Sequence, residues 1–476
     1  MSRYLFVLVL VGGLATVSCR EGSTPAPAPV MNFYQVVTIS DLHFNPLYDQ
    51  TLYSKLVAAD PSQWAAIYQV SNLAAPAGAG TDTNYPLLVL TLASMKQHMA
   101  ASPVVLFTGD MLGHNIPTMF YAAYYKESSY PSPDPAAVAA MQQFIDKTVA
   151  FVAQQIRLWA GNAPVMYVVG NIDAYSGSAG PDSTFLTDNA GTISTQFLGS
   201  SADQQTFVST FASGGYYSAQ PLGSKLLVIG LNTNSFVDGA PTTADANTEL
   251  DWLNSQLAAA QAAGQKVWIL MHVPPGANSQ YTALSAAKAG TLNQVNESTT
   301  SMMWDSGYQA TFLQTLGNYP GVVTLMLAGH THMDEYRILS PGYVLEQLPG
   351  ISPCFGNNPA FKVFTIAKDT LTATDYDSFY YDLASMSAQF NSLYELSIAY
   401  GAQGPLGPSL QQLYPQLVGS QAQRTAYTVY FASGSTAMNP VTQAPWNPIT
   451  SANWPIFACT ISEIDEPDYI QCVNTY

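Results

Sequence analysis

Charged residues are scarce in this chain of 476 residues: they make up only 9% of it, against about a quarter in an average protein. Fourteen Lys and Arg stand against 31 Asp and Glu, which gives a net charge of −17. So little positive charge excludes a nucleic-acid polymer as the main partner, because binding to its phosphates needs cationic side chains. Apolar residues, by contrast, make up 48% of the chain, enough for a sizeable core.

Cysteine is also rare, with four copies and neither a CxxC pair nor a Cys/His cluster. A zinc site built from thiolates is therefore not expected. In an exported protein Cys459 and Cys472 could pair as a local C-terminal disulfide. Cys354 would then be left over as a small buried hydrophobic residue.

The apolar run at the N-terminus is shorter than the roughly 20 residues that a membrane-spanning helix needs. It extends from Tyr4 to about Ala15, follows a basic residue and ends in small residues, which is typical of an export signal. Cys19 after a small residue resembles a bacterial lipobox, although Thr16 stands where Leu is usual. We therefore predict a signal peptide over 1–19, a lipid anchor at Cys19 and a flexible tether over 20–32. The alternative is an ordinary secretory signal with an incidental cysteine.

Beyond the tether, short apolar runs rich in Val, Ile and Leu alternate with helical patterns such as Ala136–Trp159 and Glu249–Ala263. This alternation predicts α/β architecture with largely parallel strands. From about Asp375 the strand signals thin out, so we expect a catalytic domain over 33–375 and a mainly helical region over 376–476. The predicted strands are Tyr34–Ser40, Val104–Thr108, Val165–Val169, Leu226–Leu231, Val267–Met271 and Val322–Leu327.

Potential metal ligands stand directly after most of these strands, where open α/β sheets gather their ligands. Asp, Asn and neutral His are donors suited to zinc, manganese or iron. Two such ions roughly 3.5–4 Å apart need a shared carboxylate, and together they can clamp a phosphoryl group. The sixth histidine, His98, lies in a helical stretch without donor neighbours and is expected to be structural. The clusters are Asp41 with His43, Asp110 with His114, Asn171 with Asp173, His272 alone, and His330 with His332.

The order DxH, GD, GN, H and GHxH resembles the calcineurin-like metallophosphoesterases. More narrowly, the chain is similar to acid sphingomyelinase and the acid-sphingomyelinase-like phosphodiesterases. The likeness covers about residues 33 to 375. The narrower likeness rests on Asp41–Pro46 (DLHFNP), Gly214–Tyr217, Leu231–Asn234, His272–Gly276 and Ile351–Pro353 running into Gly356–Pro359.

This resemblance implies a four-layer α/β/β/α sandwich with a helical C-terminal extension. It also implies two divalent ions, with zinc the usual pair and manganese or iron as alternatives. A metal-bridging hydroxide would attack phosphorus, and His114 would stabilise the transition state or protonate the leaving oxygen. The implied ligands are Asp41, His43 and His332 for one ion, Asn171, His272 and His330 for the other, and Asp110 as the bridge.

One position departs from the family pattern. Better-known members have His directly after the metal-binding Asn, whereas this chain has Ile172, which can neither donate a proton nor bind a phosphate oxygen. Either His114 or Asp173 supplies the acid, or the leaving group needs little protonation, or the enzyme is slow.

We therefore predict an exported metal-dependent phosphodiesterase, as a cell-envelope lipoprotein or a secreted protein. Its expected substrates are small phosphoesters or phospholipid headgroups: sphingomyelin-like choline diesters, nucleotides or nucleotide-linked diphosphates. The alternatives are a phosphomonoesterase or polyphosphatase using the same site, and a surface binding protein that has lost turnover. The sequence does not specify the oligomeric state.

Overall fold

Two six-stranded sheets form the centre of the fold in the computed structural model, which describes residues 32–178, 180–239, 245–339, 342–385, 389–436 and 449–476. The strands are β1 (Phe33–Ile39), β2 (Val105–Phe107), β3 (Val165–Tyr167), β4 (Tyr217–Ala219), β5 (Leu226–Gly230), β6 (Lys266–Leu270), β7 (Val323–Ala328), β8 (Glu335–Leu339), β9 (Tyr343–Gln347), β10 (Ala360–Ala367), β11 (Thr372–Tyr380) and β12 (Asn391–Glu395). The first sheet has the order β12-β11-β10-β1-β2-β3, and the second has the order β4-β5-β6-β7-β9-β8.

All six predicted strands are present, as β1, β2, β3, β5, β6 and β7. They pair in parallel with one another inside each sheet, as expected. The prediction of largely parallel order is wrong for the flanks, because β10, β11 and β12 are antiparallel in the first sheet and β4 and β8 in the second.

The helices are α1 (Tyr53–Ala58), α2 (Trp64–Gln69), α3 (Tyr85–Lys96), α4 (Ile116–Tyr125), α5 (Pro135–Ala160), α6 (Ser183–Phe197), α7 (Ser201–Gly214), α8 (Ala246–Ala263), α9 (Ser279–Ala289), α10 (Ser306–Asn318), α11 (Leu396–Tyr400), α12 (Leu406–Gly419), α13 (Gln421–Phe431), α14 (Trp454–Ser462) and α15 (Glu466–Thr475). The two predicted long helices correspond to α5 and α8. Each begins after an aspartate whose side chain caps its first turn, Asp134 and Asp245 respectively.

The second sheet separates two apolar layers, because successive side chains of a strand point to opposite faces. Leu226 and Val228 of β5 pack in the large core that includes the first sheet and α5. Leu227 and Ile229 pack in a separate core that includes residues of α8 and α10. The result is the expected α/β/β/α order of layers.

The C-terminal region is partly β-structure. The expected domain boundary after residue 375 falls inside β11, and β12 also joins the first sheet, so the chain becomes helical only from Leu396. A disulfide joins Cys459 of α14 to Cys472 of α15, which confirms the predicted pair, and Cys354 is free and buried. No helix among the described residues is long and apolar enough to cross a bilayer. The predicted signal peptide, the lipid anchor and the tether up to residue 31 lie outside the described residues.

Glu249 on α8 is a buried carboxyl that makes stability depend on pH. It accepts a hydrogen bond from the Asn232 N–H (2.7 Å), and burial raises its pKa from 4.5 to about 8. The folded chain therefore keeps a proton that the unfolded chain releases. This contribution to the free energy of unfolding is fully present below pH 4.5 and is lost as the pH rises through about 8.

We expect Glu249→Gln, which cannot ionise, to flatten this dependence. Between pH 4.5 and 8 the variant should gain roughly 4 kcal/mol of unfolding free energy relative to the wild type. Denaturant unfolding of both proteins across this range measures the difference. A difference that stays constant with pH would contradict the protonated state of Glu249.

Candidate metal centre

The predicted ligands come together at the carboxyl ends of strands from both sheets. Asp41, Asp110 and Asn171 follow β1, β2 and β3, while His272 and His330 follow β6 and β7. Because these strands are parallel within each sheet, their ends meet at one edge of the sandwich.

A first group consists of Asp41, His43 and His332, whose donor atoms lie within 4.8 Å of one another. The Nδ1 atoms of His43 and His332 face the carbonyl oxygens of Leu112 (3.1 Å) and Ser352 (3.0 Å), so each Nδ1 carries the proton. The two Nε2 atoms then have only lone pairs, yet they face each other at 3.0 Å. Two facing acceptors repel unless a cation lies between them.

A second group consists of Asn171, His272 and His330. His272 Nδ1 donates to the Thr108 carbonyl oxygen (2.8 Å), and its Nε2 lies 2.9 Å from Asn171 Oδ1 and 3.1 Å from Asp110 Oδ2. Burial alone would lower the pKa of His272, but the charge and hydrogen bond of Asp110 raise it to about 9, so a metal ion would bind here in place of a proton. His330 Nδ1 approaches the same Asn171 oxygen at 2.9 Å. Burial lowers the pKa of His330 and of His332 to about 3, so both rings are neutral, which is the form that binds a metal.

Asp110 lies between the two groups. Its Oδ2 atom is 3.4 Å from His43 Nε2 and 3.1 Å from His272 Nε2. Its Oδ1 atom accepts the N–H of Ile172 at 2.8 Å, which fixes the orientation of the carboxylate. One carboxylate therefore faces both groups, which is the arrangement that a dinuclear site requires.

Five of these residues have an uncommon backbone conformation. Asp41, His43, Asp110, His330 and His332 all have positive φ, between 42° and 78°. Such conformations are uncommon outside glycine and cluster at functional sites. Glycines permit the close approach: a Cβ on Gly170 would lie 2.0 Å from Asp110 Oδ1, and one on Gly329 would lie 2.8 Å from Asp41 Oδ2.

His114 is at the mouth of this site, with its ring stacked on His43 at 4.3 Å between centroids. Asp82 accepts hydrogen bonds from the His114 backbone N–H (2.7 Å) and from its Nδ1 (2.8 Å). Burial alone would lower the pKa of His114, but the hydrogen bond and charge of Asp82 raise it. Sequence reasoning missed Asp82, because a single Asp in a Gly-rich loop carries no signal of its own.

Asp173 does not reach the cleft, so its predicted role as a proton donor does not fit the structure. Its Oδ1 accepts the N–H of Leu112 (3.0 Å), and its Oδ2 accepts the N–H of Gly170 (2.9 Å) and the hydroxyl of Tyr167 (2.7 Å). The carboxyl is fully buried and holds the two loops that carry Asp110 and Asn171. Ile172 packs into the large core and is 5% exposed.

The cleft above the site has two arms that meet at Asn171 and His330. The first arm holds about 550 Å³ and includes Asp82 and His114. The second arm holds about 370 Å³ and includes Val237 and Met302. Among the described residues that line the two arms there is no lysine or arginine. His98 is elsewhere, packed on Phe379 at 4.4 Å between ring centroids, in agreement with a structural role.

The chain is similar to several known proteins. Residues 34–334 match the family model for calcineurin-like phosphoesterases. Sphingomyelinase phosphodiesterase D of Dictyostelium discoideum is 26% identical over 386 residues, which is 75% of each chain. The cyclic GMP-AMP phosphodiesterase SMPDL3A of Mus musculus is 23% identical over 83% of each chain. A dimetal phosphatase from Danio rerio has a TM-score of 0.41 at 12% identity, covering 75% of this chain and 98% of its own.

Proposed function

Because the chain belongs to the calcineurin-like phosphoesterase family, we propose that it is an exported dinuclear-metal phosphodiesterase. The observation that carries this proposal is a pair of acceptor atoms that face each other beside two carboxylates. They are the Nε2 atoms of His43 and His332, 3.0 Å apart, next to Asp41 and Asp110. A divalent cation bound by both nitrogens would remove their repulsion.

The donors fit two divalent ions, with zinc expected and manganese or iron as alternatives. Such ions would activate water as the nucleophile and neutralise charge on the phosphoryl oxygens. Asp110 would be shared between them. The proposed ligand sets are Asp41, His43 and His332 for one ion, and Asn171, His272 and His330 for the other.

The charge of the cleft favours a diester over a monoester or a polyphosphate. The described lining residues offer no lysine or arginine, and Asp82 and Asp238 add negative charge. A diester brings one negative charge, whereas a monoester approaches two near neutral pH and a polyphosphate brings more. The additional charges would meet no lysine or arginine among these residues.

His114 is the proposed proton donor for the leaving oxygen. Its Nδ1 is bonded to Asp82, so the Nε2 atom remains for substrate. This assignment replaces the histidine that is absent at Ile172. Asp82 acts through His114, as the residue that positions its ring and favours its protonated form.

Replacing Asp82 by Asn tests this arrangement. The amide oxygen can still accept from Nδ1, but the hydrogen bond from the His114 backbone N–H and the negative charge are lost. Proton donation should therefore suffer most where the leaving group is basic. We expect kcat for diphenyl phosphate to fall roughly 10²-fold, and kcat for bis(4-nitrophenyl) phosphate by less than about tenfold. The activated ester is the internal control. Equal losses on both esters would contradict proton donation by His114.

The proposed function is tested with zinc- or manganese-loaded protein and paired 4-nitrophenyl esters. We expect faster release of nitrophenol from bis(4-nitrophenyl) phosphate than from 4-nitrophenyl phosphate. Much faster cleavage of the monoester would favour the phosphomonoesterase or polyphosphatase. Bound metal without turnover on a wide phosphoester panel, unchanged in Ile172→His, would favour a binding protein.

The physiological substrate we propose is a sphingomyelin-like choline diester or a nucleotide ester. The support is the relatives' names: the Dictyostelium protein is called a sphingomyelinase, and the mouse protein a cyclic dinucleotide phosphodiesterase. The disulfide between Cys459 and Cys472 supports export, since such bonds persist in oxidising compartments. Attachment to the envelope through Cys19 is part of the same proposal, and labelling with a radioactive fatty acid tests it.

A further inference from the structure

The second arm of the cleft differs from the first in its chemistry. It begins at Asn171 and His330, so a group that enters it is directly connected to the reacting phosphoryl group. Val237 and Met302 contribute partly exposed apolar walls, and Val273 is buried beneath them. Tyr281 borders both arms and is 43% exposed.

Backbone hydrogen bonds hold this arm in shape. The Asn278 N–H donates to the Ser301 carbonyl oxygen (2.7 Å), and the Met303 N–H donates to the Gly276 carbonyl oxygen (3.0 Å). Met302 therefore lies antiparallel to the segment that follows His272. Trp304 supports this arrangement from behind, because its Nε1 donates to the Val273 carbonyl oxygen at 2.9 Å. The arm is thus formed before any ligand arrives.

Asn234 provides a second sign that the arm receives a ligand. It lines the arm and is 2% exposed. Its amide nitrogen donates to the Val169 carbonyl oxygen (3.1 Å) and to Asn232 Oδ1 (2.9 Å). Its own Oδ1 has no partner. A buried acceptor without a partner is costly in a folded protein, and an aromatic group that carries an N–H or O–H donor would complete it.

We propose that this arm binds the organic group that stays on phosphorus after cleavage, an inference that rests on the proposed function. We also propose that the arm selects an aromatic or similarly apolar group. The first arm holds the polar side chains of Asp82 and His114, which suit a leaving oxygen, so we place the leaving group there. The organic group that stays on phosphorus would then lie in the second arm, in contact with Val237, Met302 and Tyr281. The product is the phosphate monoester of the retained alcohol or phenol.

The experiment keeps the leaving group constant and varies the retained group. Metal-loaded wild type, Met302→Ser and the control Val208→Ser, whose side chain is exposed on α7, are assayed with phenyl and methyl 4-nitrophenyl phosphates. We expect the wild type and the control to prefer the phenyl ester at least tenfold in kcat/KM, mainly through KM. Met302→Ser should lower that ratio about fivefold. A wild-type ratio near one, or a ratio unchanged in Met302→Ser, would overturn the proposal.

Binding of the products separates this inference from the proposed function. Calorimetry of metal-loaded protein with phenyl phosphate and methyl phosphate reports on the second arm without turnover. If neither diester is cleaved but phenyl phosphate binds at least tenfold more tightly in a Met302-dependent manner, the arm assignment stands and the diesterase fails. If the diesters are cleaved but the two products bind equally, the arm assignment fails alone.

Discussion

Asp110→Asn is expected to lose metal and activity together. The Oδ2 atom of Asp110 lies within 3.4 Å of His43 Nε2 and 3.1 Å of His272 Nε2, so one carboxylate serves both halves of the site. Asn keeps the shape but removes the charge. If its oxygen keeps the Ile172 N–H, its amide nitrogen takes the position of Oδ2 and faces both histidine nitrogens as a donor. We expect at most one bound ion and a fall in kcat/KM of at least roughly 10³-fold, because both proposed ions would act on the same phosphoryl group.

Elemental analysis and turnover of bis(4-nitrophenyl) phosphate measure this outcome. Asp369→Asn, an exposed carboxylate in the β10–β11 turn, is the matched control and should retain both ions and full activity. Two ions retained in Asp110→Asn, with activity near the wild type, would refute the bridging role.

Gly170→Ala is expected to disrupt the same site through sterics alone. The new Cβ would lie 2.0 Å from Asp110 Oδ1 and 2.3 Å from the Asp110 backbone nitrogen, and no ordinary contact is that short. Asp110 must therefore move, together with the loop that Asp173 holds at the Gly170 N–H (2.9 Å). We expect loss of at least one metal ion and about 2 kcal/mol or more of unfolding free energy, as overpacking usually costs.

Gly191→Ala is the matched control because a Cβ there meets nothing within 4 Å and the residue lies inside α6. It should keep activity and gain roughly 0.5–1 kcal/mol from helix propensity. Chemical denaturation and elemental analysis of both variants test the contrast. Full metal content and wild-type stability in Gly170→Ala would show that the loop relaxes freely.

The sequence reveals the strands and ligands whose signals are local. Asp110, Asn171 and His330 each follow a glycine at the end of an apolar run, and that pattern is visible in ten residues or fewer. The order of these clusters along the chain then indicates the family. Their convergence at one edge follows from the parallel pairing that short apolar runs favour.

Features that depend on residues distant in the sequence could not be predicted from it. Lys362 makes β10 a poor candidate for a buried strand, yet its ammonium is buried between Asp334 and Glu346, each at 2.7 Å. Asp82 gains its role only because the fold brings it to His114, 32 residues later in the chain. Asp173 is the opposite case. Its position two residues after Asn171 suggests a catalytic role, whereas its hydrogen bonds show that it holds the two loops in place.

The left-handed backbone at five of the proposed ligand positions also restricts which substitutions evolution can accept. Aliphatic β-branched side chains are poorly tolerated at positive φ, whereas Asp, Asn, His and Gly adopt it more readily. The backbone therefore limits the substitutions that these positions accept, in addition to any limit that metal binding would set. The positions are Asp41, His43, Asp110, His330 and His332. A descendant that no longer needed catalysis would still tend to carry small polar residues at these positions. The sequence signature of such a site should therefore outlast its activity.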